Sequence, residues 1–382
     1  MAQLWVKCCY DFLFRYSESA IVCIGNPLLD ISATGTKEFL EKYDLDANNS
    51  ILAEEKHLPM FQEVLDNFEV EYTPGGAGPN TLRMIQWILQ EPKRCAFFGC
   101  IGNDENGKIL KKKMTQIGIH VNYLIDEDHK TGTCVSVVTG INRSLVADLG
   151  AANHYKKEHL KQPENWAHVE KATIIYVAGF HLSVAADAIL ELGKHAAMYN
   201  KIFGHNLSAP YLCELYTEQQ MTLMPYVDYL FGNETDFAAF SKQQNFGTDD
   251  LKEVALKAAA LPKVNTERER MVIITQGSLP TIVAHGNFIF QLLSSSSGKS
   301  RLAALRLPFF ILGGEVAEYP VNEIRPEEIV DTNGAGDCFV GGFLSQLIQN
   351  KNIEECIKVA NYCASYIIRR PGISMVGKPC IE

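Results

Sequence analysis

A basic surplus is missing from these 382 residues: 35 lysines and arginines face 45 acidic residues, for a formal net charge of −10. That balance excludes a dedicated nucleic-acid or anionic-membrane surface, which needs a basic patch, and any polyanionic ligand must be small and locally held. Metal-type cysteine pairs are missing too. The eleven cysteines are odd in number and none forms a Cys-x-x-Cys pair. This speaks against a disulfide framework or zinc site and for reduced thiols, so a cytoplasmic or nuclear setting is expected. No His-Glu-x-x-His occurs, and His154 and His159 are too loosely spaced for a helical metal motif. The N-terminal "MAQLWVKCCYDFLFRY" is interrupted by Lys7, Asp11 and Arg15 and lacks a small-residue cleavage site. Residues 1–18 therefore read as an extension, neither secretory signal nor membrane span. A complete phosphate loop is also absent: "SSSSGKS" ends in Gly298-Lys299-Ser300, but Leu293 stands where the first glycine belongs.

What is present is an alternation. From residue 21 onward, short apolar runs ("IVCIG", "CAFFG", "TIIYVAG", "KIFGHN", "DYLFGN", "MVIIT") are mostly followed by amphipathic stretches. This predicts an α/β fold, a mostly parallel, doubly wound sheet with helices on both faces and ligands beyond the carboxyl ends of its strands. Residues 28–55 and 131–150 are β-like without helices between, which suits a small discontinuous β lid on the domain spanning 19–382. The serine-rich, then basic, then apolar stretch at 292–315 reads as an insertion.

One stretch joins bareness to context, "EEIVDTNGAGDCFVGGFLSQLIQN" at 327–350. "EEIV" reads as a short strand, and Phe339, Val340, Phe343, Leu344, Leu347 and Ile348 recur at helical spacing. The glycines thus sit at a helix start, where backbone N–H groups lack intrahelical partners and the helix dipole is positive. Gly334, Ala335 and Gly336 would let a phosphoryl oxygen approach those donors without help from a lysine. Asp337 would stand beside the held group and accept the proton of an attacking hydroxyl. The structural alternative is a helix capped by Thr332, Asn333 or Asp337, with glycine for a tight turn.

"DTNGAGDCFVGGF" resembles the C-terminal signature of the ribokinase family of sugar and nucleoside kinases, and "GGAGPN" with "FFGCIGNDENG" resembles its N-terminal signature. "GNPLLDI", "TGTC", "NRSLVADLGAAN", "YVAGF", "FGNETD" and "IIRRPG" are similar to its adenosine-specific branch. The resemblance implies a ribokinase-like fold with a β-sheet lid, a monomer, and ATP and adenosine as substrates with Mg2+. It makes Asp337 the base, Gly334, Ala335 and Gly336 the anion hole, and Arg143 a lid cation reaching the transferring phosphate. It places Asp30 on the ribose hydroxyls, with Asn26, Gly75, Gly76, Asn80 and Asn333 as further substrate contacts. Leu28, Leu52, Cys134, Leu145 and Leu149 would wall the base. Asn233, Asp236, Thr275 and Gly277 would serve the nucleotide, the first two meeting the metal through water.

Two departures bear on this. The family's Asn-x-x-Glu is here "NETD", so Asp236 is one methylene shorter, although spacing of three puts it on one helical face with Asn233. His181 stands where a phenylalanine would stack on the adenine, and a neutral imidazole can stack with less area. A kinase of another nucleoside or of a sugar, or a nucleoside-binding homologue without catalysis, are the alternatives.

Overall fold

The computed structural model describes residues 18–46, 50–139, 142–286 and 314–381, and leaves out the side chains at 50, 142 and 143. Residues 1–17 and most of the 292–315 stretch, including Gly298-Lys299-Ser300, lie outside the described residues. The chain divides into two compact units, residues 1–189 with 322–382, and residues 190–321. The helices used below are α1 (Lys37–Lys42), α2 (Leu58–Asn67), α3 (Ala77–Leu89), α4 (Glu234–Gln243), α5 (Ala335–Leu347) and α6 (Ile353–Ile367).

In the first unit β1 (Ile21–Ile24), β5 (Cys95–Gly102), β6 (His120–Asp126) and β9 (Ile174–Ala178) pair in parallel in the order β9-β1-β5-β6. β1, β5 and β9 are buried throughout, as befits unbroken apolar runs covered on both faces. In the second unit β10 (Ile202–Asn206), β11 (Tyr229–Asn233) and β12 (Met271–Gln276) are parallel, and β13 (Leu279–His285) and β14 (Glu315–Tyr319) continue antiparallel. The six apolar runs are all strands.

A second, small sheet belongs to the first unit. It comprises β2 (Leu28–Thr34), β3 (Ser50–Leu52), β4 (Val70–Gly75), β7 (Thr133–Thr139) and β8 (Asn142–Asp148), in the order β3-β8-β7-β2-β4. β4 comes from outside the two stretches expected to supply it. Its "VEYTPG" gives a weak strand signal, and an edge position tolerates Pro74. One face of this sheet packs Ile31, Ala33, Val135, Val137 and Val146 against Phe39 and Leu40 of α1 and Met60 and Val64 of α2.

α3, α5 and α6 form a three-helix cluster around Met84, Trp87, Cys338, Val359 and Cys363. Gly341 and Gly342 make it possible: a Cβ on the first would lie 2.7 Å from Met84 Cβ, and on the second 2.8 Å from Ala360 Cα. The expected strand "EEIV" does not form. Pro326–Glu328 make a 3-10 turn, and Val330 and Asp331 donate their N–H groups to Ile368 O at 2.8 and 3.1 Å instead of to a sheet neighbour. Among the described residues no helix is long and apolar enough to cross a membrane.

Candidate active site

α5 starts at the bare glycines. Gly334 caps it from the left-handed region, φ 72°, with no side chain accepting from the helix start. A Cβ there would lie 2.2 Å from Ile373 Cδ1, so conformation and space both demand glycine. Ala335 N–H already donates to Thr332 O at 3.3 Å. The next two amides, of Gly336 and Asp337, occupy the first turn, where a helix offers them no acceptor. A Cβ on Gly336 would meet nothing within 4 Å, so the helix start faces open space there. Of the expected Gly334–Gly336 cradle, the Gly336 amide therefore stands at the open helix start, with the Asp337 amide beside it.

Asp337 follows directly. Asn80, in the first turn of α3, donates from Nδ2 to Asp337 Oδ2 at 3.1 Å, and the Thr81 hydroxyl lies 3.2 Å from the Asp337 carbonyl. Burial pushes the Asp337 carboxyl up to about 7; the Asn80 bond opposes the rise and the negative charge of Asp30 adds to it. A carboxylate so poised holds or releases a proton near neutrality, which suits a general base.

Sequence reasoning missed Asp331. Its Oδ1 accepts from the N–H and from Nδ2 of Asn333, both at 2.9 Å, and its Oδ2 accepts from Gly372 N–H at 3.0 Å. Asp331 thus shapes the loop into Gly334, and Asn333 spends its amide on that loop. The signal was available as an aspartate two residues before a loop asparagine, an Asx-turn pattern.

Asp30 lies on β2 opposite Thr73 and Cys134. A Cβ on Gly75 would fall 2.0 Å from its Oδ1, so glycine at the end of β4 makes room for this carboxylate. Gly76, φ 94°, passes as closely over Asn26 O, 2.2 Å from where its Cβ would be. Period-two alternation and the strand registers put Leu28, Asp30, Leu52, Cys134 and Leu145 on the same face of the small sheet, opposite the α1/α2 core. Leu28 and Leu149 both line the approach to Gly132. Arg143 pairs with Val138 along the backbone of β8; its side chain lies outside the described part.

His181 is fully buried. Its Nδ1 lies 2.6 Å from Asn26 Oδ1, its ring meets Tyr155 edge to face at 5.6 Å, and burial pushes its pKa down to about 3. The neutral ring braces Asn26, whose Nδ2 donates to Phe180 O at 3.4 Å; no face of the ring is exposed for stacking. His154, dismissed as a metal ligand beside His159, comes together with Asp126 and His129. The two imidazoles stack 3.7 Å apart at 11°, so their in-plane lone pairs run side by side and do not converge on one ion.

Residues 37–376 match the family described as pfkB family carbohydrate kinase. Adenosine kinase 1 of Arabidopsis thaliana is 45% identical over 362 residues, 95% of this chain and 97% of the relative. Adenosine kinase of Dictyostelium discoideum is 38% identical, covering 94% and 97%. The crystal structure of Anopheles gambiae adenosine kinase in complex with P1,P4-di(adenosine-5) tetraphosphate superposes with a TM-score of 0.82 at 44% identity, covering 95% of this chain and 99% of that one. The chain belongs to the pfkB family.

As a pfkB kinase it transfers a phosphoryl group from ATP to a hydroxyl, chemistry that calls for a divalent cation. In the second unit Asn233 caps α4. Its Oδ1 accepts from Thr235 N–H, Thr235 Oγ1 and Asp236 N–H at 2.8, 2.7 and 2.9 Å, and Asp236 Oδ2 accepts from Asn233 N–H at 3.0 Å. The two form a capping box from N-cap to third position, which replaces the expected shared helical face. Asn233 Oδ1 is saturated and poorly suited to meet a cation. Asp236 is 2% exposed, and its Oδ1 has no hydrogen-bond partner. Burial pushes its carboxyl up to about 6, with the Asn233 N–H opposing and Glu234 adding. An orphaned buried carboxylate oxygen fits a cation or its water ligand. Thr275 lies at the end of β12, its hydroxyl 3.5 Å from Gly232 O, and Gly277 turns toward β13 at φ 59° with nothing within 4 Å of a Cβ.

Proposed function

We propose that this pfkB kinase is an adenosine kinase, moving the γ-phosphoryl group of ATP to the 5′-hydroxyl of adenosine to give AMP and ADP. The observation that carries the reading is the Asp337 carboxylate, held by Asn80 and pushed up to about 7, on the third residue of a helix whose N-terminus no side chain caps. The nearly full-length similarity to adenosine kinases supports the substrate.

In this reading Asp30 takes the ribose diol through both carboxylate oxygens, and the apolar face of Leu28, Cys134 and Leu145 meets the purine. Asp337 accepts the 5′-hydroxyl proton as the new oxygen–phosphorus bond forms and the bond to the β-phosphate oxygen breaks, the electron pair leaving with ADP. The Gly336 and Asp337 amides stabilise the equatorial oxygens of the group in flight. Mg2+ is the cation we assign; Asp236 would hold it or a water on it, and when bound it would neutralise phosphate charge. Arg143, the expected lid cation, would bring a permanent planar charge to the transferring phosphate. His181 supports Asn26 and does not stack on the base.

A coupled assay of AMP formation with adenosine, guanosine, inosine and ribose tests the assignment. Adenosine should have the highest kcat/KM. Ribose as the best acceptor, or adenosine binding without ATP-dependent AMP formation, would overturn it.

A further inference from the structure

We infer that Arg83 is a positioning residue that sets the orientation of Asn80, and through it the basicity of Asp337, while tying the substrate strand to the anion cradle. This rests on the adenosine kinase reading, in which Asp337 is the base.

Arg83 lies one helical turn beyond Asn80 in α3 and is only 6% exposed. A guanidinium is rarely buried unless its donors are used. Here Nη1 donates to Pro74 O and lies 3.3 Å from Asn80 Oδ1, while Nη2 donates to Ile373 O at 2.7 Å. The three partners belong to three pieces of machinery. Pro74 precedes Gly75, the glycine under Asp30. Asn80 holds Asp337 at 3.1 Å. Ile373 covers Gly334, the cap of α5.

The bond to Asn80 is the one with chemical consequence. An asparagine amide can turn over, exchanging its oxygen for its NH2. Arg83 offers only donors, so it can donate only to the Asn80 oxygen and leaves the NH2 directed at Asp337. Turned the other way, the amide would set two donors against each other and its oxygen against the Asp337 carboxylate. The Asn80 NH2 opposes the rise in the Asp337 pKa, because a donor favours the charged form. Without Arg83 the amide loses its fixed sense, and Asp337 keeps its proton to higher pH.

The test is the pH dependence of kcat/KM for AMP formation in wild type, Arg83→Met, Arg83→Lys, Asn80→Ala and the Arg83→Lys/Asn80→Ala double variant, each checked for folding by circular dichroism and thermal melting. Arg83→Met should move the acid limb to higher pH by half a unit or more, about a threefold loss of rate on that limb. Arg83→Lys keeps the charge but loses the planar fork and should shift the limb by less. Because Arg83 acts through Asn80, Arg83→Lys should add no further shift to Asn80→Ala. Should Arg83→Met fail to fold, the lysine variant and its double carry the test. A wild-type limb in every folded Arg83 variant, or a shift that simply adds to that of Asn80→Ala, would overturn the role. Wild-type AMP formation is measured in the same series, so that refutation would leave the adenosine kinase reading standing.

Discussion

Two helix starts, α5 in the first unit and α4 in the second, carry the same ingredients in opposite arrangements. Each has an asparagine and an aspartate close by, and in each the aspartate is pushed up by burial, to about 7 at Asp337 and about 6 at Asp236. At α4 the side chains turn inward: Asn233 and Asp236 satisfy the helix's own N–H groups in a reciprocal box. At α5 no side chain caps the helix, its N-cap is a left-handed glycine, and Asn333 is turned back to Asp331. A helix start that spends its polar groups on itself is chiefly structure. One that leaves its amides bare, with a carboxylate beside them, is prepared for an anion and a proton.

The contrast can be broken most severely at Asp337. Asp337→Asn keeps shape but cannot take a proton, so kcat in the coupled AMP assay should fall by about 10²- to 10⁴-fold; unchanged turnover would reduce Asp337 to a second capping residue. Gly336→Ala comes next. A methyl group there meets no protein atom, so the melting temperature should hold, yet it enters the space reserved for the phosphoryl group and should cost about tenfold or more in kcat/KM. Asn233→Ala is the opposite experiment, expected to remove roughly 1 kcal/mol of stability through the lost cap, read by denaturant unfolding.

Asp236→Asn can still cap α4 but removes the orphaned carboxylate oxygen. A several-fold rise in the Mg2+ concentration for half-maximal rate is expected, and an unaltered Mg2+ titration would leave Asp236 with capping alone. The smallest effect is thermodynamic. Because the folded pKa of Asp337 is raised from 3.8 to about 7, the folded protein binds this proton more tightly than the unfolded chain. Its stability contribution is present at low pH and is lost as pH rises through that window. Asp337→Asn should therefore stabilise the protein above neutrality, and by less near pH 5, as read by denaturant unfolding at the two pH values.

Much of this was legible in the sequence because it is local. Six apolar runs became six strands, and glycines before an aspartate at the head of an amphipathic stretch marked the α5 start. What escaped depends on contacts across the chain. Arg83 reads as a polar residue on a helix until the fold brings Ile373, 290 residues later, to its guanidinium. His181 reads as a stacking surface until its ring is seen fully buried, with Nδ1 beside Asn26. "EEIV" has strand-like composition, but Glu328 and Ile329 donate back into the local turn and Val330 donates to the end of α6. β4 was hidden by a proline that only an edge strand tolerates.

The central claim, that Asp337 is a base tuned by burial, is tested most directly by the pH profile of kcat/KM for adenosine in the wild-type enzyme. An acid limb with its midpoint near 7 that disappears in Asp337→Asn is the expected result. A limb in the ordinary carboxylate range, or one that survives the substitution unmoved, would contradict it.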